Sequence, residues 1–102
     1  MGIRASTVRA FALSLPETEE RETWETATFR VRNKIFLMFS ERERHAWIKS
    51  VHDEQRALTS MDPRAWFVPS YVGTSGWVGA VLSAADGGEV RELIVEAWRM
   101  TA

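Results

Sequence analysis

Between Thr28 and Phe39 the sequence runs Thr-Phe-Arg-Val-Arg-Asn-Lys-Ile-Phe-Leu-Met-Phe, and this stretch narrows the possible folds more than any other. Phe29 and Val31 alternate with Thr28, Arg30 and Arg32, the two-residue period of a strand with one face on a core. Arg32-Asn33 then supplies turn chemistry, because asparagine tolerates the left-handed backbone that tight hairpin loops demand. Lys34 opens a second strand, Ile35 to Phe39, apolar on both faces as suits a strand inside a sheet. The pair reads as an antiparallel hairpin, and its apolar face needs helices to lie on it.

At 102 residues the chain is expected to form a single domain, residues 1–102. Five Trp, five Phe and one Tyr, within a 45% hydrophobic composition, are enough to build a core without staples. The absence of cysteine removes disulfides, thiolate metal sites and cysteine nucleophiles together, and fits a reducing cytoplasm. Residues 1–15 have no continuous apolar run and do not read as a signal peptide. No stretch approaches the roughly 18 apolar residues of a membrane span, so no membrane partner is expected. The formal net charge is -1, whereas a dedicated duplex-binding domain usually carries a large positive surplus.

Taken in order, Met1 to Arg4 read as a loose lead-in. Ser6 or Thr7 can cap a helix whose apolar stripe is Val8, Phe11, Ala12 and Leu15, and Pro16 stops it. A loop rich in glutamate leads into a short strand around Arg21 to Glu25. After the hairpin, Ser40 to His45 is a polar connection and Ala46 to Lys49 another strand. His52 to Ser60 reads as a helix with Asp53 and Glu54 at the positive end of its dipole. Trp66 to Val72 is aromatic and β-prone, but Pro69 confines it to an edge or an irregular segment. Gly73 to Gly76 is a turn. Trp77 to Leu82 is a strand in which Gly79 marks a bulge or a close approach. Asp86-Gly87-Gly88 starts a last helix with Val90, Leu93, Ile94 and Ala97 on its buried face. The expected fold is α+β in two layers. An antiparallel sheet of about five strands carries helices on one face, in the order α-β-β-β-α-β-β-α.

Several short motifs recur in an order that resembles the MmcQ/YjbR family. They are Leu15-Pro16-Glu17, Lys34-Ile35-Phe36, Ile48-Lys49 before Asp53-Glu54, and Val68-Pro69-Ser70-Tyr71 followed by Gly76-Trp77-Val78. The resemblance spans nearly the whole chain. It implies a two-layer α+β fold, similar to secretion-chaperone and frataxin-like shapes. It also implies a candidate DNA-binding role, by likeness of the sheet to a double wing in a phage transcription factor. This chain departs from the family pattern at Val72 to Gly76, which carries no charge, and at Ala97-Trp98, where a Ser-Tyr pair is common.

Arg30, Arg32, Lys34 and Lys49 are the candidate DNA contacts, since cations on one sheet face can track phosphates. The plainer alternative is a solvated strand face balanced by Glu41 and Glu43. Trp66, Tyr71 and Trp77 are candidate walls of a groove or pocket, and Phe67 belongs to the same aromatic concentration. Aromatics of this kind more often fill a core, because each can bury ~150–250 Å². His45 and His52 have no acidic residue at a metal-ligand spacing, and Arg21 breaks up the glutamates from Glu17 to Glu25. No metal or other cofactor is expected. The serines lack a glycine elbow and the glycines match no phosphate loop, so no enzyme is expected. The leading expectation is a small cytoplasmic DNA-binding module that uses the basic hairpin face. The alternative is a non-enzymatic protein-interaction module, with an aromatic sheet edge docking a protein partner or a second copy.

Overall fold

Tight turns set the architecture. The computed structural model describes residues 2–102. In it β1 (Glu19–Thr23), β2 (Thr26–Val31), β3 (Lys34–Ser40) and β4 (His45–Ile48) follow one another as a meander. The first two connections are two-residue turns, Trp24-Glu25 at φ 54° and 63° and Arg32-Asn33 at φ 53° and 64°. Left-handed backbone at both central residues matches the twist of the flanking strands. The remaining elements are α1 (Ala5–Leu13), α2 (His52–Met61), β5 (Trp66–Phe67), a 3-10 turn (Val72–Ser75), β6 (Val78–Val81) and α3 (Gly87–Thr101). The strands form one antiparallel sheet in the order β1-β2-β3-β4-β6-β5. β3 lies in its interior, as its two-sided apolar pattern requires.

The sheet has six strands and the chain runs α-β-β-β-β-α-β-β-α. β1 starts two residues earlier than the pattern predicts, because Trp24 and Glu25 form the turn, and it pairs with β2 along its full length. Its glutamates suit an edge, where charge discourages a further strand from adding. The N-terminal cap of α1 is Arg4, not Ser6 or Thr7, and no side chain caps it. Nor is the lead-in wholly loose, since the Ile3 amide donates to the Leu82 carbonyl at 2.8 Å; Met1 lies outside the described residues. α3 begins as its sequence suggests: the Asp86 carboxylate accepts from the Glu89 amide at 3.0 Å, a cap that stabilises by about 1 kcal/mol.

Alternation along the strands sorts side chains between two faces. One row across the sheet is Phe29, Leu37, Ile48 and Val78, and a neighbouring one is Phe39, Ala46, Ala80 and Trp66. All eight are buried, together with Val8 and Ala12 of α1, Leu58 of α2 and the α3 stripe Val90, Leu93, Ile94 and Ala97. Each large side chain removed from water there contributes roughly 1.5–3 kcal/mol. Phe29 meets Phe39 edge to face, with ring centres 5.6 Å apart. A bulge interrupts the β2–β3 ladder. Phe29 pairs with Leu37 and Arg30 with Ile35, so Phe36 is an extra residue, and it joins Leu37 in the same core.

Phe11 of α1, Leu58 of α2 and Leu93 of α3 line one common groove, which places all three helices on the same side of the sheet. The other side is open. This one-sided cover positions everything that follows.

Candidate nucleic-acid interface

Arg32 and Lys34 flank the β2–β3 turn at one end of the sheet. Lys49 stands beside them, because its amide donates to the Phe36 carbonyl at 3.0 Å just after β4 ends. Arg30 points to the open side. Its Nε donates to the Thr28 hydroxyl at 3.4 Å and its Nη2 to the Thr23 hydroxyl at 3.3 Å. None of these four cations has a carboxylate within 4.0 Å among the described residues. Arg9 shows the contrast. It binds Glu20 at 3.0 Å and Glu43 at 2.6 Å and lies over the Phe39 ring; the bond to Glu43 above all raises its pKa further above an already high value. A net charge of -1 conceals an uneven distribution. Residues 26–49 hold six basic and two acidic side chains, while residues 50–102 hold four basic and seven acidic.

The aromatic candidates separate. Trp66 is 2% exposed: it sits opposite Ala80, whose small side chain leaves room for the indole in the core-facing row. Trp77 is 8% exposed. Neither presents a surface to a ligand, so the groove expected from the sequence loses both of these walls. Tyr71, by contrast, is 91% exposed. Its backbone adopts φ 63° and ψ -68°, and the Val72 amide donates to the Ser70 carbonyl at 2.6 Å. That is the positive-φ γ-turn, a rare and strained conformation for a bulky residue. The loop is held from beneath by a buried side chain. Gln55 Nε2 donates to the Gly73 carbonyl at 2.9 Å and to the Trp77 carbonyl at 2.6 Å. Gly76, at φ 96°, closes the loop against the Val51–His52 backbone, where a Cβ would collide. Because Trp77 leads directly into Val78, which pairs with Ile48, this loop and Lys49 share one end of the sheet.

The open face carries a row that sequence reasoning did not select. Arg21, Thr28, Met38, Trp47, Gly79 and Phe67 are successive cross-strand partners from one edge to the other. The Phe67 ring covers Gly79, filling the place a Cβ would take; this is the close approach that the glycine signals. The His45 ring packs against the same ring at a tilt of 57°, with centres 4.9 Å apart. Trp47 Nε1 and Ser40 Oγ are enclosed on this face with no hydrogen-bond partner, which for such groups costs about 1–3 kcal/mol. The available signal was parity: Ala46 and Ile48 face the core, so Trp47 between them cannot.

The helical side offers different chemistry. The groove there encloses about 590 Å³ over Phe11, Leu58 and Leu93, rimmed by Glu54, Glu89, Glu92 and Glu96 together with Arg91 and Arg99. Four carboxylates against two guanidiniums leave the rim net acidic. No group of three or more His, Asp or Glu among the described residues is placed to hold a metal ion. No helix among them is long and apolar enough to cross a membrane.

The sequence matches the YjbR family over residues 13–100. The chain belongs to the YjbR family. No curated protein matches it. Among solved structures, the Deinococcus radiodurans protein DR2400, described by its DUF419 domain, is similar, with a TM-score of 0.86 at 15% identity. The superposition covers 96% of the YjbR-family chain and 78% of the Deinococcus chain. At that identity the likeness is one of fold, and it extends over both layers.

Proposed function

We propose that this YjbR-family chain is a non-enzymatic DNA-binding module whose basic hairpin end supplies the phosphate contacts. The observation that carries this reading is the grouping of Arg30, Arg32, Lys34 and Lys49 without carboxylate partners. A cation without a carboxylate partner loses no ion pair on meeting a phosphate, and each such contact releases about one condensed counterion. Tyr71, exposed at the same end of the sheet, adds an aromatic contact. Fluorescence anisotropy with labelled DNA across a salt series tests the reading. Log affinity falls linearly with log salt, and Lys34→Ala or Arg32→Ala reduces the slope by about one each. Absence of binding at low ionic strength overturns it.

A second reading, a protein-docking edge, is favoured by Tyr71 and Val68, 91% and 57% exposed beside the two-residue edge strand β5. It predicts a dimer or complex that Tyr71→Ser dissolves, measured by light scattering. A strict monomer with no captured strand removes it.

A further inference from the structure

We infer that the nucleic acid taken by this chain is single-stranded, with unpaired bases stacking on the open sheet face along the row from Trp47 to Phe67. The inference rests on the DNA-binding reading and specifies its substrate.

An antiparallel sheet covered on one side normally turns polar side chains to water on the other. Here the middle of the open face is Met38, Trp47 and Phe67, each half-buried and uncovered by any helix, with the tilted His45 ring at its margin. Gly79 between Trp47 and Phe67 keeps the row low, since the ring of Phe67 lies where a side chain would otherwise stand. The Trp47 and Phe67 backbones are two strands apart, or ~10 Å at the usual inter-strand spacing, and the Phe67 ring leans over Gly79 toward Trp47, so the two form one continuous aromatic surface. A duplex hides its base faces and gains nothing from such a row. An unpaired base brings a π-face of its own and stacks whatever its sequence.

Charge supplies the second half of the match. Arg30 is laid along this face over Thr28 and Thr23 and is bound only to hydroxyls, while Lys34 and Lys49 stand at the adjoining end. Cations beside an aromatic row are the arrangement by which single-strand binders follow a backbone and hold its bases.

The test compares a labelled oligothymidine of roughly twelve nucleotides with a duplex of the same length at one salt concentration. The single strand is expected to bind at least about ten-fold more tightly. Trp47→Leu and Phe67→Leu each weaken single-strand binding about ten-fold and leave the salt slope unchanged, whereas Trp47→Phe retains most of the affinity. Melting curves confirm that each variant is folded. Should the leucine variants fail to fold, the parent's tryptophan emission serves instead: oligothymidine quenches it, and Trp47→Phe loses most of the quench. Duplex binding as tight as single-strand binding overturns the inference while leaving the DNA-binding reading in place. So does unchanged affinity in a folded Trp47→Leu variant, or a quench that survives in Trp47→Phe. If neither nucleic acid binds at low salt, both readings fall.

Discussion

Leu37 and Met38 are neighbours on β3 and face opposite worlds. Leu37 belongs to the row Phe29, Leu37, Ile48, Val78, which the helices bury completely. Met38 belongs to Thr28, Met38, Trp47, Gly79, Phe67, which no helix covers. The first row is uniformly apolar, whereas the second mixes Met38, Trp47 and Phe67 with Arg21, Thr28 and Gly79. The helices cover the uniformly apolar parity and leave the mixed one, with its large apolar side chains, without a second layer. A half-buried aromatic row without a helix over it is then either a liability or a surface with a use.

Substitutions can break this comparison. The largest effect is expected from Val31→Asp, which puts an unpaired charge into the core at a residue 1% exposed and costs roughly 3–5 kcal/mol. A variant as stable as the parent in denaturant titration means that the two faces are assigned the wrong way round. Leu37→Ala is next, with a loss of about 2–5 kcal/mol for a cavity in the packed layer. Its neighbour Met38→Ala loses about 1 kcal/mol or less, and equal losses at the two sites erase the contrast. Gly79→Ala displaces the Phe67 ring and costs about 1–3 kcal/mol. Its effect on nucleic-acid affinity should exceed its effect on melting if the row is a platform. Arg32→Ala, in an exposed turn, leaves stability within about ±0.5 kcal/mol and lowers the salt slope of binding.

Much of the fold was legible because local chemistry and tertiary placement agree. Phe29 and Val31 turn inward, Arg32-Asn33 makes the turn and Asp86 starts the last helix, as their residue types suggest. β1 was harder, since Glu-Glu-Arg-Glu-Thr has almost no apolar signal and takes its register from β2. The start of α1 is displaced because tertiary contact decides it: the Ile3 amide is tied to Leu82, distant in the sequence but adjacent in space. The candidate site divides in the same way. The cations were visible as residues on a hairpin, because turns expose what they carry. Trp66 and Trp77, candidate groove walls in the sequence, take the commoner core role instead, and the sequence does not decide between the two because an aromatic in an edge segment looks alike whether it turns in or out. Only the pairing of Trp66 with Ala80 shows that it turns in. Trp47 went unnoticed because a four-residue strand, His45–Ile48, is too short for alternation to speak loudly.

Gln55 holds a consequence for motion. Its side-chain amide spends both N–H groups on carbonyls of the loop that presents Tyr71, while its own backbone lies within α2. His52 adds a contact to the Thr74 carbonyl at 2.9 Å from the same helix. The loop and the first turns of α2 therefore open together or not at all, as one cooperative unit. In hydrogen exchange the amides of residues 72–77 should share the protection of the helix instead of exchanging at the rate of a surface loop. Whatever seats itself on Tyr71 would then be felt along α2 as slower exchange, well away from the point of contact.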